Sequence, residues 1–305
     1  MRTLLVTGHG GFVGRTVLAA GAAPPLASRW RIVTLADHFD IRSSALTATL
    51  AKLRPDCVLH LAGLTSVSDS FKDPEGYFDV NVHGTWNLLR ALRDCQFTGR
   101  MLFVSSGDCY GAVVPDDLPI GEDEPLRPRN PYAVSKVAAE ALCYQWSQSA
   151  AFEVVVARPF NHVGPGQDAR FAVASFARQV ALIAAGRAPA SIVTGNLDVT
   201  RDLTDVRDVV LAYFALLESG TNGRAYNVGS GRETSMADVL TMLLDIAGVD
   251  ADIQRDPARV RADEQRRAVA DVASIERDTG WSATTPLATT LADTIADWKE
   301  RITVE

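Results

Sequence analysis

Two side chains in this sequence stand at a spacing that makes proton chemistry available. Tyr132 and Lys136 lie four residues apart in Asn130-Pro131-Tyr132-Ala133-Val134-Ser135-Lys136. Asn130 suits a helix N-cap and Pro131 the first helical position, so the spacing predicts a helix carrying both side chains on one face. An ammonium beside a phenol favours the phenolate, and the tyrosine pKa is expected to fall below its usual value of about 10. A phenol tuned in this way exchanges a proton with a reacting oxygen while a hydride moves to or from carbon. Ser105-Ser106 closes a predicted strand upstream, and a serine there can hydrogen-bond the same oxygen. A tyrosine and lysine at this spacing, taken alone, are more simply a surface pair; the rest of the chain decides against that.

The second constellation is Thr7-Gly8-His9-Gly10-Gly11-Phe12-Val13-Gly14, between an apolar segment and a helical pattern. Gly8 allows a tight turn, Gly11 lets the backbone approach a pyrophosphate, and Gly14 permits close helix–sheet packing. The helix start at Phe12 and Val13 then offers free N–H groups to an anion. The context favours dinucleotide binding over an unliganded glycine turn. Asp37, just past the second strand, is placed to accept from the adenosine ribose and would favour NAD, while Asp40-Ile41 could flank the adenine. Leu61-Ala62-Gly63, after the third strand, is expected to line the same cofactor site. The choice between NADH and NADPH stays open at this point.

These residues need a scaffold, and the chain supplies one. Strands are expected at Arg2 to Thr7, Arg31 to Leu35, Asp56 to His60, Met101 to Ser105 and Glu153 to Ala157. Helices are expected over Phe12 to Ala20, Glu75 to Asp94 and from Pro131 onward. Alternation of this kind predicts an α/β fold, a Rossmann-type doubly wound parallel sheet, with a smaller α/β C-terminal substrate lobe. After Arg158 the pattern changes, with Gly164-Pro165-Gly166 breaking it and helices over Phe171 to Ala185, Asp205 to Glu218, Ser235 to Ala247 and Leu287 to Glu300. The expected division is 1–160 with roughly 196–225 for the dinucleotide domain, and 161–195 with 226–305 for the substrate lobe.

The bulk composition narrows the function classes. The 305 residues carry 30 Lys and Arg against 37 Asp and Glu, a formal charge of −7, so no basic field points to nucleic acid. The cysteines (Cys57, Cys95, Cys109, Cys143) form no CxxC pair, as expected of a reducing cytoplasm, and the five histidines lack metal-ligand spacing, so no metal site is expected. The first apolar stretch is too short for a signal peptide, and no run is long enough to span a bilayer. No internal repeat or low-complexity tract is present.

The motifs TGxxGxxG, Ser105-Ser106 followed by Tyr110-Gly111, and YxxxK together resemble those of the extended short-chain dehydrogenases/reductases that act on nucleotide sugars. The resemblance runs in order through nearly the whole chain. It implies Ser106, Tyr132 and Lys136 as the catalytic triad. It implies Asn161 in Arg158-Pro159-Phe160-Asn161 near the sugar diphosphate, Arg201 on phosphate, and Arg261 with Glu264 on the nucleotide half. The segments SSGDCYG, ARPFNHVGPGQ, VTRDLTDVRDV and DPARVRADEQRR look most like the family's bacterial reductases, which use NADPH or NADH on a GDP-linked 4-keto-6-deoxy sugar and are usually homodimers joined through helices of the first lobe. Dehydratases of the family carry an extra acid/base, typically glutamate, two residues past the Ser/Thr. Here Gly107 has no side chain and Asp108 is one methylene shorter. Asp108 is therefore expected beside the substrate, in a site built for plain reduction. The same triad also serves 4,6-dehydratases and 4-epimerases, and delivery to the other face would give the 6-deoxy-talose product. A dinucleotide-sensing protein without catalysis is a further reading, one with no use for the Tyr132/Lys136 pair.

Overall fold

The computed structural model describes residues 1–260 and 265–304 of the chain. The strands of the first half are β1 (Arg2–Thr7), β2 (Trp30–Thr34), β3 (Cys57–His60), β4 (Arg100–Val104) and β5 (Glu153–Pro159). Those of the second half are β6 (Asn161–Val163), β7 (Ser191–Thr194), β8 (Thr200–Asp205), β9 (Ala225–Val228), β10 (Glu233–Ser235) and β11 (Asp252–Arg255). Among the described residues, six of these form one sheet in the order β2-β1-β3-β4-β5-β9, parallel throughout.

The reason is visible in the strand sequences. Leu4, Leu5 and Val6, then Cys57, Val58 and Leu59, are fully buried on both sides of the sheet, as strands covered on two faces must be. Helices Phe12–Gly21 and Val206–Ser219 cover one face through Val17, Val209, Tyr213 and Leu216. Helices Leu46–Leu53, Gly84–Asp94 and Pro131–Ser149 cover the other through Leu50, Leu88, Leu92 and Cys143. The chain runs outward from β1 to β2 and returns on the far side of β1 as β3. The crevice beyond the carboxyl ends of β1 and β3 is where such sheets bind ligands.

A smaller lobe carries its own core. Helices Ala172–Ala184, Met236–Ala247 and Leu287–Val304 enclose Phe176, Val180, Leu240, Leu243, Leu291 and Trp298. Two short sheets, β10-β8-β6 and β11-β7, border it.

The lobes interleave at other points than the expected 196 and 226. Leu197, Val199 and Leu203 pack in the smaller core, so the return to the large lobe begins with the helix at Val206. Tyr226 and Val228 belong to the large lobe, because β9 pairs with β5 at the sheet edge. Ile275 and Trp281 also pack in the large core, a third crossing that the sequence pattern did not suggest.

The expected helix from Glu75 to Asp94 is continuous but not uniform. It starts as Pro74–Phe78, capped by the Asp73 carboxylate, which accepts from Gly76 N at 2.9 Å. It widens into a π-turn over Asp79–His83, then resumes as Gly84–Asp94. π-Turns often mark functional positions. This one carries Asn81, buried at the foot of the crevice.

Candidate active site

Strand β4 ends at Val104, and Ser105 and Ser106 follow directly into a 3-10 turn over Gly107–Tyr110. The Ser106 hydroxyl caps that turn, accepting from Asp108 N at 3.2 Å. Across from it begins the helix Pro131–Ser149, with Pro131 in its first turn and the Asn130 side chain accepting from Ala133 N at 2.8 Å. Tyr132 and Lys136 both sit on the buried face of this helix. The Tyr132 phenol and the Ser106 hydroxyl are hydrogen-bonded. The ring packs edge-on to Tyr77, which donates to Ser66 O at 2.6 Å. The geometry thus brings Ser106, Tyr132 and Lys136 to one place at the strand ends.

The electrostatics differ from the expectation. Burial pushes the Tyr132 phenol well above its ordinary range, only partly offset by the Ser106 hydrogen bond, and the nearby Asp108 carboxylate adds to the rise. Lys136 does not offset this, because its own charge is lost at a lower pH than the one at which the phenol would ionise; its ammonium donates to Val104 O at 2.8 Å. Burial lowers Lys136 itself to about 8. Without ligand, the pair is a firmly neutral phenol and an easily discharged lysine.

A polar chain that the sequence reading missed braces this arrangement. Ala62 N donates to Thr7 Oγ1 at 3.2 Å, and Thr7 Oγ1 meets His60 Nδ1 at 2.8 Å. His60 Nε2 meets Thr85 Oγ1 at 3.1 Å, and Thr85 donates to Asn81 O at 2.6 Å. With the Thr85 proton committed, the consistent pattern has His60 protonated on Nε2 and accepting from Thr7 on Nδ1. Burial drops its pKa to about 3, with Lys136 contributing, so the ring is neutral. Asn81 also donates to Ser135 Oγ at 2.9 Å and accepts from Leu64 N at 2.8 Å. One signal was present in the sequence: an amide inside an otherwise helical stretch, a position that usually needs a side-chain partner.

The glycine loop opens on a pocket of about 400 Å³ lined by Gly8, His9, Gly11, Leu35, Asp37 and Ala62, among others. A Cβ on Gly8, at φ +71°, would come within 2.6 Å of Ala62 N, and one on Gly14 within 2.4 Å of Gly8 O. These two glycines let the loop fold tightly against the Leu61-Ala62-Gly63 turn. Gly11 is the N-cap of the following helix, and the backbone at Phe12 and Val13 begins it. A dinucleotide fits this cradle: open backbone N–H groups at a helix start, with an apolar wall from Leu35 and Ile41. Phe12 turns its ring elsewhere, stacking on His162 with centroids 6.0 Å apart. Asp37 is largely exposed at the pocket mouth, 3.1 Å from His9 Nε2. Asp40 does not flank the pocket as expected: Arg42 holds its carboxylate, and that guanidinium also reaches Asp79.

A sequence model of the GDP-mannose 4,6 dehydratase family matches residues 33–294. The chain belongs to this family. It is 43% identical over 305 residues to the GDP-6-deoxy-D-mannose reductase of Pseudomonas aeruginosa, covering 99% of both chains. The fold superposes on RMD from Pseudomonas aeruginosa complexed with NADPH at a TM-score of 0.92 and 42% identity, over 99% of this chain and 100% of that one. It also matches UDP-glucose 4-epimerase of Thermus thermophilus in complex with NAD, at a TM-score of 0.86 and 27% identity, over 97% and 99% of the two chains. The Rossmann-type α/β architecture expected from the strand–helix alternation is the one that these neighbours share.

The residues expected at the substrate lie on three segments. Asp108 stands beside Tyr132, and Asn161 is exposed where the chain leaves β5 for β6. Arg201, on β8, donates to Thr200 O and to Gln265 O, at 2.7 and 2.8 Å. Its neighbour Asp202 is buried and accepts from Ser230, Gly231 and Ala270 backbone N–H groups. Arg261 and Glu264 lie outside the described residues. Among the described residues no cluster of side chains is arranged to hold a metal, and no helix is long and apolar enough to cross a membrane.

Proposed function

We propose that this chain reduces the 4-keto group of GDP-4-keto-6-deoxy-D-mannose with NADPH, giving GDP-D-rhamnose. The observation that carries the reading is the end-to-end similarity to the Pseudomonas aeruginosa GDP-6-deoxy-D-mannose reductase. The glycine cradle supports it from the cofactor side, and the convergence of Ser106, Tyr132 and Lys136 from the chemical side.

In this mechanism bound NADPH supplies the hydride that reaches the sugar C4. Ser106 donates to the keto oxygen and holds it beside the phenol. Tyr132 transfers its proton to that oxygen as negative charge develops, and its phenolate is reprotonated from water. The raised phenol pKa suits this direction, since the group is fully protonated before the reaction. The Lys136 charge stabilises the transient phenolate from the same helix face. By the family resemblance Asn161 and Arg201 serve the sugar diphosphate, Arg261 with Glu264 serves the nucleotide half, and Asp108 borders the sugar. Gly107 supports plain reduction, since it brings no acid/base side chain, and Phe160 stands 3.1 Å from where a Cβ would be.

The test is NADPH oxidation by purified protein given freshly made GDP-4-keto-6-deoxy-mannose, with NMR of the product at C4. Stoichiometric consumption and a rhamnose configuration are expected. No consumption would overturn the reading, and a talose configuration would change the product.

We infer a cytoplasmic homodimer. Phe78, Trp86, Val134 and Tyr144 are exposed on two adjoining helices of the large lobe, an apolar surface that a second copy would cover. All four cysteines are unpaired, which fits a reducing compartment. Sedimentation at micromolar concentration is expected to give the dimer mass; a monomer mass would refute the dimer.

A further inference from the structure

The pocket mouth poses a problem of charge. Asp37 lies three residues beyond the end of β2, the station at which a carboxylate meets the adenosine ribose of a dinucleotide. NADH would offer it a hydroxyl to accept from. NADPH would bring a 2′-phosphate instead, and two anions at contact distance repel. Among the described residues no lysine or arginine lines this pocket. Arg42 is committed to Asp40 and Asp79, and Arg15 donates to Gly10 O and Gly166 O. The basic side chains at the mouth are two imidazoles, His9 and His38. His9 Nε2 already lies 3.1 Å from Asp37 Oδ1 and is mostly sheltered, whereas the Asp37 side chain is 88% exposed. His38 holds a left-handed backbone, φ +60°, that keeps it at the rim directly after Asp37.

We propose that the His9–Asp37 pair, with His38, sets the preference of this chain between NADPH and NADH. His9, already in contact with the Asp37 carboxylate, partners that group and turns a ring N–H to the incoming 2′-phosphate. His38 gives that phosphate a second donor. Loss of His9 leaves Asp37 bare, and the site becomes one for a ribose 2′-hydroxyl. The inference rests on the reading of the chain as a nicotinamide-dependent reductase and assigns the cofactor choice within it.

The experiment measures dissociation constants of NADPH and NADH by the fluorescence of the bound reduced nicotinamide, with adenosine 2′,5′-bisphosphate and 5′-AMP as competitors. It compares the unmodified chain with His9→Asn, His38→Asn and Asp37→Asn. Asparagine tolerates the left-handed backbone at position 38. The NADPH-over-NADH ratio is expected to fall about tenfold in His9→Asn, the scale of one charge-assisted contact, and less in His38→Asn. It is expected to rise in Asp37→Asn, with adenosine 2′,5′-bisphosphate following NADPH in every variant. An unchanged ratio in His9→Asn, with NADPH still bound, overturns this assignment and leaves the reductase reading standing. Failure of the unmodified chain to bind either dinucleotide overturns both.

Discussion

The Lys136 ammonium donates to the carbonyl oxygen of Val104, 2.8 Å away, at the point where β4 gives way to Ser105 and Ser106. The bond ties the helix that carries Tyr132 to the strand end that carries Ser106. It also holds a charge in a buried place, where the charged form is disfavoured. The Lys136 pKa of about 8 puts its discharge within reach of mild alkali. Raising pH removes the proton and with it the charge that steadies the Tyr132 phenolate. The reductase rate is therefore expected to fall on the alkaline side with a midpoint near 8. A single-turnover rate measured from pH 6.5 to 10 checks this, and a flat profile through pH 9.5 would refute the link between the Lys136 charge and the rate.

Tyr132→Phe removes the proton donor and its hydrogen bond with Ser106, while the ring remains packed against Tyr77. A loss in kcat of roughly 10²–10⁴ is expected from the missing general acid. NADPH affinity, read by titration, should stay close to that of the unmodified chain. Turnover within tenfold of the parent would place the proton source elsewhere.

His60 is neutral in the folded protein, with a pKa of about 3, and titrates near 6.5 when unfolded. Below that value the unfolded chain binds a proton that the folded chain refuses. Stability from this group is therefore present above pH 6.5 and declines as pH falls toward 3, by about 1.4 kcal/mol per unit. Nitrogen-resolved NMR is expected to show His60 as the Nε2-protonated neutral tautomer down to pH 5. An imidazolium signal there would break the chain from Thr7 to Thr85.

Glu140 and Arg158 form a buried ion pair at 2.8 Å between the Tyr132 helix and β5. Arg158 also donates to Tyr110 OH at 2.9 Å, so the pair braces the turn that follows Ser106. Glu140→Ala leaves Arg158 charged and unpaired, with an expected loss of roughly 3–5 kcal/mol. Denaturant unfolding measures it. Replacing both partners by Leu and Met should recover most of the stability, while a single substitution costing under 1 kcal/mol would refute the bracing role.

What could be read from the sequence follows the range of the interactions concerned. The Tyr132 helix was legible because Asn130, Pro131 and the four-residue spacing are local signals, and so was the glycine turn at Gly8. The direction of the Tyr132 pKa was not, because burial depends on Tyr77 and Ser106, which are distant in sequence. Asn81 and His60 escaped notice for the same reason: their partners lie 17 to 54 residues away. Asp40 and Asp37 look alike in the sequence, and only the contacts separate them, Arg42 for one and His9 for the other. The interleaving of the lobes was partly legible, since the helix after Asp205 has a core-facing pattern, but the return of Ile275 and Trp281 to the large core rests on packing alone.

That interleaving bears on how such a chain can be cut and recombined. The polypeptide leaves the large lobe after β5, re-enters it at Val206, departs after β9 and comes back around Ile275. No single breakpoint separates a dinucleotide-binding half from a sugar-binding half. A chimera that swaps substrate preference between two relatives must exchange several segments together, and a fragment ending near residue 160 would lack both its edge strand β9 and Val206–Ser219, one of the two helices covering one sheet face. Neither lobe is a transferable module. New specificity in this architecture has to arise within the intact chain, by local changes or by the concerted exchange of segments.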